Sequence, residues 1–169
     1  MTRAGSTRAW LSLGSNVDRE KHIRAALDAL AQRFGRLVVS PVYDCAAVGF
    51  AGNPFINLVV GIDCDLTVGE LSAWLRELEA ANGRVRDKNV RFNDRTLDVD
   101  ILTWGDARGV VDGIELPRGE IVKHAFVLRP LVDVAPNELH PLLGISYRAL
   151  LAQKDFSAQS LRRIEFDWP

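Results

Sequence analysis

Two aspartates, Asp98 and Asp100, follow five basic side chains within the run RVRDKNVRFNDRTLDVD, and these residue types at this spacing suit the handling of phosphates and hard cations. Side chains alternate across a strand that rises about 3.3 Å per residue, so the two carboxylates project from one face about 6.6 Å apart, with Leu97, Val99 and Ile101 on the other. Arginines keep their charge and grip phosphate oxygens in a bidentate manner. Mg²⁺ is typically held by one or two carboxylates and completes its shell with water and substrate phosphates. Arg84, Arg86, Lys88, Arg91 and Arg95 beside the two aspartates therefore point to a nucleotide polyphosphate. Phosphoryl transfer needs little more, because its catalysis is mostly positioning and charge neutralisation. Charge-rich loops and alternating aspartates also occur on plainly solvated sheet faces. The direct run from basic loop to D-x-D strand, with no Walker-type glycine-rich loop in the chain, favours the chemical reading.

The elements that must position these groups can be traced along the chain. At 169 residues and 47% hydrophobic content, one compact domain spanning 1–169 is expected, with residues 1–7 mobile and 155–169 a peripheral tail. The formal net charge of −1 argues against a surface adapted to nucleic acid. Two cysteines, no apolar run near the roughly 20 residues of a membrane span, and no leader-like start lead to the expectation of a cytoplasmic protein without membrane partners.

AWLSLG reads as a strand ended by Gly14, Ser15 and Asn16. Ile23, Leu27, Leu30, Ala31 and Phe34 then share one helical face, with Gly35 as the stop. LVVSPVYDCAAV is extended, with Pro41 signalling an edge or bulge, and FINLVVGIDCDL is a further strand. Thr67 and Glu70 form a capping box for a second helix, whose apolar stripe is Leu71, Trp74, Leu75 and Leu78 and whose end is Asn82-Gly83. LDVDILTW is the next strand, Asp112-Gly113 turns a hairpin, and short helices follow over HAFVLRPLVDVA and about 146–152. This order predicts an α+β protein: a ferredoxin-like βαββαβ core with extra strands and short C-terminal helices, in three αβα layers.

LSLGSN, the aromatic-x-Asn of FINLVV, E-x-x-x-G-R-V-R at Glu79 to Arg86, RTLDVDIL and AFVLRPLVDVAP together resemble the 6-hydroxymethyl-7,8-dihydropterin pyrophosphokinase family over roughly Ala9 to Leu151. The resemblance implies a monomeric, ATP-dependent diphosphotransferase of folate biosynthesis. It would use two Mg²⁺ ions to move the β,γ-pyrophosphoryl group of ATP to a pterin hydroxymethyl group. Position by position it implies Asp98 and Asp100 as metal ligands, and Asp98, Asp100, Arg84 and Arg95 as the catalytic set. Glu79, Arg84, Arg86, Arg91, Arg95, Ile101 and Arg118 would lie along the nucleotide. Phe55 and Phe126 would stack on the pterin, Asn57 would read its amide-like edge, and Cys45, Ala47 and Val48 would touch it through their backbone. Asn57 also stands out without the resemblance, since an Asn within an apolar strand must satisfy up to four hydrogen bonds.

Several positions depart from the family pattern. Cys45-Ala46-Ala47-Val48 stands in place of Thr-Pro-Pro-Leu, and Phe92-Asn93-Asp94 in place of Trp-Gly-Pro. Arg118-Gly119 replaces a Pro-following histidine, and His124, expected to be partly charged at neutral pH, replaces an arginine. These substitutions leave open a paralogue that binds nucleotide or pterin without turnover. An RNA-binding ferredoxin-like module is disfavoured because the strands lack the expected aromatic and basic pattern.

Overall fold

The computed structural model describes residues 5–45, 53–83 and 96–169. Strand β1 (Thr7–Ser15) leads into helix α1 (Arg19–Phe34), then β2 (Val38–Val39), β3 (Val42–Cys45) and β4 (Phe55–Cys64). Helix α2 (Val68–Ala81) and strand β5 (Asp98–Trp104) complete the core. Beyond it come β6 (Gly109–Val111), β7 (Ile114–Leu116), α3 (Glu120–Lys123), α4 (Ala125–Val134), α5 (Tyr147–Gln153) and β8 (Arg162–Ile164).

The main sheet runs β5-β1-β4-β3-β8, with β2 also paired to β4 and the ladders antiparallel. With β2 and β3 counted as one strand broken at Ser40-Pro41, this is the ferredoxin-like arrangement. Pro41 cannot donate to a ladder, and the Ser40 hydroxyl instead accepts from the Val59 N–H at 2.9 Å.

Local signals explain the helices. Both halves of the Thr67–Glu70 capping box are present at the start of α2, which ends at Asn82 and Gly83. Ile23, Leu27, Leu30 and Phe34 of α1 and Leu71, Leu75 and Leu78 of α2 are buried against Leu11, Leu13, Leu58 and Val60 of the sheet. Burial of one such side chain contributes roughly 1.5–3 kcal/mol, so this layer fixes the scaffold. On the opposite face Trp10, Val59 and Leu102 pack against Ile121, Leu128, Leu131, Tyr147 and Leu150 of the short C-terminal helices, giving the three layers. Trp10 also donates its indole N–H to Glu138 at 3.1 Å.

β6 and β7 pair with each other as the expected hairpin, turned by Asp112 and Gly113 at φ 51° and 81°. The C-terminal end of the chain differs from the sequence reading. Residues 162–164 do more than lie along the surface: they add a strand to the edge of β3, where Val42 faces Ile164 and Asp44 faces Arg162. A three-residue strand with two exposed arginines carries too little periodicity to be recognised without its partner.

Candidate functional site: a polar lane across the sheet

Ladder register places the unusual residues side by side. Gly14 faces Asp98 on β5 and Asn57 on β4, and Asn57 faces Tyr43 on β3. Asp98, Gly14, Asn57 and Tyr43 thus form one row across four strands. The adjoining row is Asp100, Ser12 and Val59, and on the other side Phe55 faces Cys45. Strand alternation assigns all of them to the face that carries α3 to α5, while Leu97, Val99 and Ile101 turn into the α1/α2 core, as expected.

Gly14 is the floor of this lane. A Cβ there would meet Asn57 Oδ1 at 2.7 Å and the Phe55 ring at 3.6 Å. With strands roughly 4.8 Å apart, Asp98 and Asn57 stand about 10 Å from one another, and the span between them is bare backbone. The sequence reading took Gly14 only as a turn residue; a glycine followed by Ser15 within an otherwise apolar strand was the available signal of close approach.

The pterin-side residues named from the sequence are mutually bonded. Asn57 Nδ2 donates to Cys45 Sγ at 2.7 Å, and burial pushes the Cys45 thiol up to about 11, so it remains a thiol at neutral pH. Tyr43 donates its hydroxyl to Asp133 of α4, and Arg129 Nε reaches the same hydroxyl at 3.4 Å. Burial and then Asp133 raise the Tyr43 phenol. Phe126, near the start of α4, is stacked on the His124 ring at 4.7 Å and 17°. Burial lowers the His124 imidazole, with Glu120 opposing, which shifts it toward its neutral form.

The carboxylate end is built on an edge strand. Asp100 is 22% exposed, and Arg118 Nη2 lies 3.5 Å from its Oδ1 while Arg118 Nε pairs with Glu120 at 2.7 Å. Burial first and the neighbouring Asp98 charge second push Asp100 up to about 6, against the pull of Arg118. Glu79 is 1% exposed, and its carboxylate accepts from the Val99 N–H at 2.8 Å and pairs with Arg76 at 3.0 Å. The Arg118 N–H in turn donates to the Leu102 carbonyl at 2.9 Å. Between these two anchors, Ile101 presents its main chain to a small cleft lined also by Ser72, Arg76, Asp100, Ile114 and Arg118. Arg76 was missed in the sequence because its role depends on how α2 packs beside β5.

Two aspartates fit a hard cation whose remaining ligands are water and phosphate, and a cation would relieve the repulsion that raises Asp100. No cluster of three or more His, Cys, Asp or Glu side chains suited to a metal occurs among the described residues. Ala47, Val48, Arg84, Arg86, Arg91 and Arg95 lie outside the described residues, as do Lys88 and the Phe92-Asn93-Asp94 departure. Among the described residues no helix is long and apolar enough to cross a membrane.

Comparison with known proteins shows the family. Residues 10–136 match the family model of 7,8-dihydro-6-hydroxymethylpterin-pyrophosphokinase. A 2-amino-4-hydroxy-6-hydroxymethyldihydropteridine pyrophosphokinase of Pseudomonas aeruginosa is 40% identical over 134 residues, covering 77% of this chain and 82% of the relative. The enzyme of the same name from Methylorubrum extorquens is 34% identical over 163 residues, covering 94% and 99%. Among solved structures, wild-type Plasmodium falciparum HPPK-DHPS with SDX-DHP superposes with a TM-score of 0.65 at 14% identity, which speaks for the fold. This chain covers 44% of that longer protein, and 88% of this chain is matched. The chain belongs to the 7,8-dihydro-6-hydroxymethylpterin-pyrophosphokinase family.

Proposed function

We propose that this protein transfers the β,γ-pyrophosphoryl group of ATP to the hydroxymethyl group of 6-hydroxymethyl-7,8-dihydropterin, in folate biosynthesis. The hydroxymethyl oxygen attacks Pβ, the bond from Pβ to the bridging oxygen on Pα breaks, AMP leaves, and the hydroxyl proton passes to solvent. The observation that carries this reading is the row Asp98, Gly14, Asn57. It sets a carboxylate and an amide about 10 Å apart over bare backbone, wide enough for a flat bicyclic ligand with a hydroxymethyl arm.

In this reading Asn57 pairs with the amide-like edge of the pterin and Cys45 supports Asn57 from behind. Phe55 and Phe126 stack on the ring, Phe126 using the face turned away from His124. Cys45, Ala47 and Val48 supply backbone contacts. Asp98 and Asp100 hold two Mg²⁺ ions, which when bound neutralise the triphosphate and orient it for in-line transfer. Arg118 leaves its contact with Asp100 to meet phosphate oxygens, joined by Arg84, Arg86, Arg91 and Arg95. The β5 edge at Ile101 faces the nucleotide base. Glu79 acts there by holding the Val99 N–H, and so the strand that bears both aspartates, in place. The protein works as a cytoplasmic monomer.

Purified protein incubated with ATP, Mg²⁺ and 6-hydroxymethyl-7,8-dihydropterin is expected to release AMP only when the pterin is present. Binding of both ligands without pterin-dependent AMP would overturn the proposal in favour of a non-catalytic binder.

A further inference from the structure

Cys45 and Phe55 form the last described pair of the β3–β4 ladder, joined also by Cys45 Sγ donating to the Phe55 carbonyl at 3.6 Å, and contacts from outside the ladder add to what holds these two strand ends together. One side chain touches both. Arg19 Nη1 and Nη2 each lie 3.2 Å from an Asp44 carboxylate oxygen, and Nη1 also donates to the Pro54 carbonyl at 3.1 Å. Asp44 precedes Cys45 and Pro54 precedes Phe55, and alternation turns Asp44 to the face opposite the polar lane. Beside this contact, Asn16 Nδ2 donates to the Asn53 carbonyl at 3.1 Å.

A second arginine reaches the same carboxylate from the end of the chain. Arg162 Nη2 lies 3.2 Å from Asp44 Oδ2, and β8 is registered on β3 at that position. Burial alone would raise the Asp44 carboxyl, yet the hydrogen bonds and charges of Arg19 and then Arg162 hold it below the usual aspartate value. The tail is secured further along α1, where Arg24 lies over the Phe166 ring at 4.7 Å and donates to the Asp167 carbonyl at 3.0 Å. Trp168 donates to Asp28 at 2.9 Å.

Arg19 is also the first residue of α1, where a cation opposes the helix dipole. The helix dipole therefore does not account for a cation at this position, whereas a fork joining two strand ends does. We propose that Arg19, backed by Arg162 of the C-terminal strand through Asp44, is a positioning residue that sets the spacing of Cys45 and Phe55 and thereby the affinity for the pterin. This rests on the pterin site given under Proposed function. It makes the tail beyond the family-matched residues 10–136 part of the substrate machinery.

The test is a kinetic split in the full chain. Arg19→Ala is expected to raise the pterin KM about tenfold with the ATP KM within about twofold, and Arg162→Ala to raise it about threefold. Arg19→Lys should fall between wild type and Arg19→Ala, because charge is kept and the fork is lost. Arg33→Ala, which breaks the ion pair with Asp65 at the far end of α1 and touches neither Asp44, Pro54 nor the tail, should leave the pterin KM unchanged. An unchanged pterin KM in Arg19→Ala, or equal rises in both KM values, overturns the proposal. Should Arg19→Ala fail to fold, Asp44→Asn is expected to show the same split, and its absence there overturns it equally. If the wild type releases no pterin-dependent AMP, the functional reading fails separately. Amide exchange over 53–58 then decides the clamp, faster exchange in Arg19→Ala supporting it and identical exchange refuting it.

Discussion

The two ends of the polar lane work by different physics. At the β5 end, Asp98, Asp100, Arg118, Glu120, Glu79 and Arg76 are charged and close together, and Asp100 is lifted to about 6 by burial and by its neighbour. At the β4 end, Gly14, Asn57, Cys45 and Phe55 are uncharged, and the governing quantity is clearance, with only 2.7 Å between a would-be Gly14 Cβ and Asn57. Charge neutralisation tolerates small displacements and responds to protons and ions. Close packing responds to single methyl groups and ignores both.

This contrast is tested most severely at the aspartates. Asp98→Asn or Asp100→Asn should lower turnover by at least about a thousandfold, near 4 kcal/mol of transition-state stabilisation, with pterin binding intact. Single-turnover AMP release and pterin titration measure the two sides, and equal losses at both would erase the distinction between the ends. Gly14→Ala is the mirror image. The added methyl displaces Asn57, and overpacking of about 1–3 kcal/mol should weaken the pterin by roughly ten- to a hundredfold while ATP affinity is kept. A methyl that costs nothing would show that the ligand does not lie over Gly14.

Glu79→Gln is expected to act only on the nucleotide end. The amide oxygen can still accept from Val99 but the ion pair with Arg76 is gone, so ATP affinity should fall by about threefold to tenfold without change at the pterin. The smallest effect is the pH response. Because the folded Asp100 binds its proton more tightly than a free aspartate, the metal-free protein loses stability as pH rises from the ordinary carboxylate range through about 6. Mg²⁺ should remove that loss, since it binds the ionised form. Melting curves in EDTA and in Mg²⁺ at pH 5 and 7 should therefore converge at the lower pH and separate at the higher. A separation independent of pH would remove Asp100 from the metal site.

What the sequence made legible followed from local periodicity. Asp98 and Asp100 were recognisable because Leu97, Val99 and Ile101 alternate with them, and Asn57 because it interrupts an apolar strand. The capping box at Thr67 and Glu70 and the Asp112-Gly113 turn are likewise written in adjacent residues. Gly14 beneath Asn57, Glu79 on the Val99 N–H and the Tyr43–Asp133 contact depend on register between distant segments, which no single-segment pattern encodes. The same holds for the pairing of residues 162–164 with β3, since three residues cannot specify a partner alone.

One consequence follows from the location of the carboxylates on an outer strand. Such a strand invites pairing by another molecule's backbone, and proteins normally blunt the hazard with charge, kinks or a covering segment. Here the Glu79 carboxylate plugs the Val99 N–H and the Arg118 N–H plugs the Leu102 carbonyl, leaving a gap too short for a foreign strand to zip along. Only the backbone of Asp100 and Ile101 lies between the two anchors, so the margin that carries the site is closed to runaway self-association.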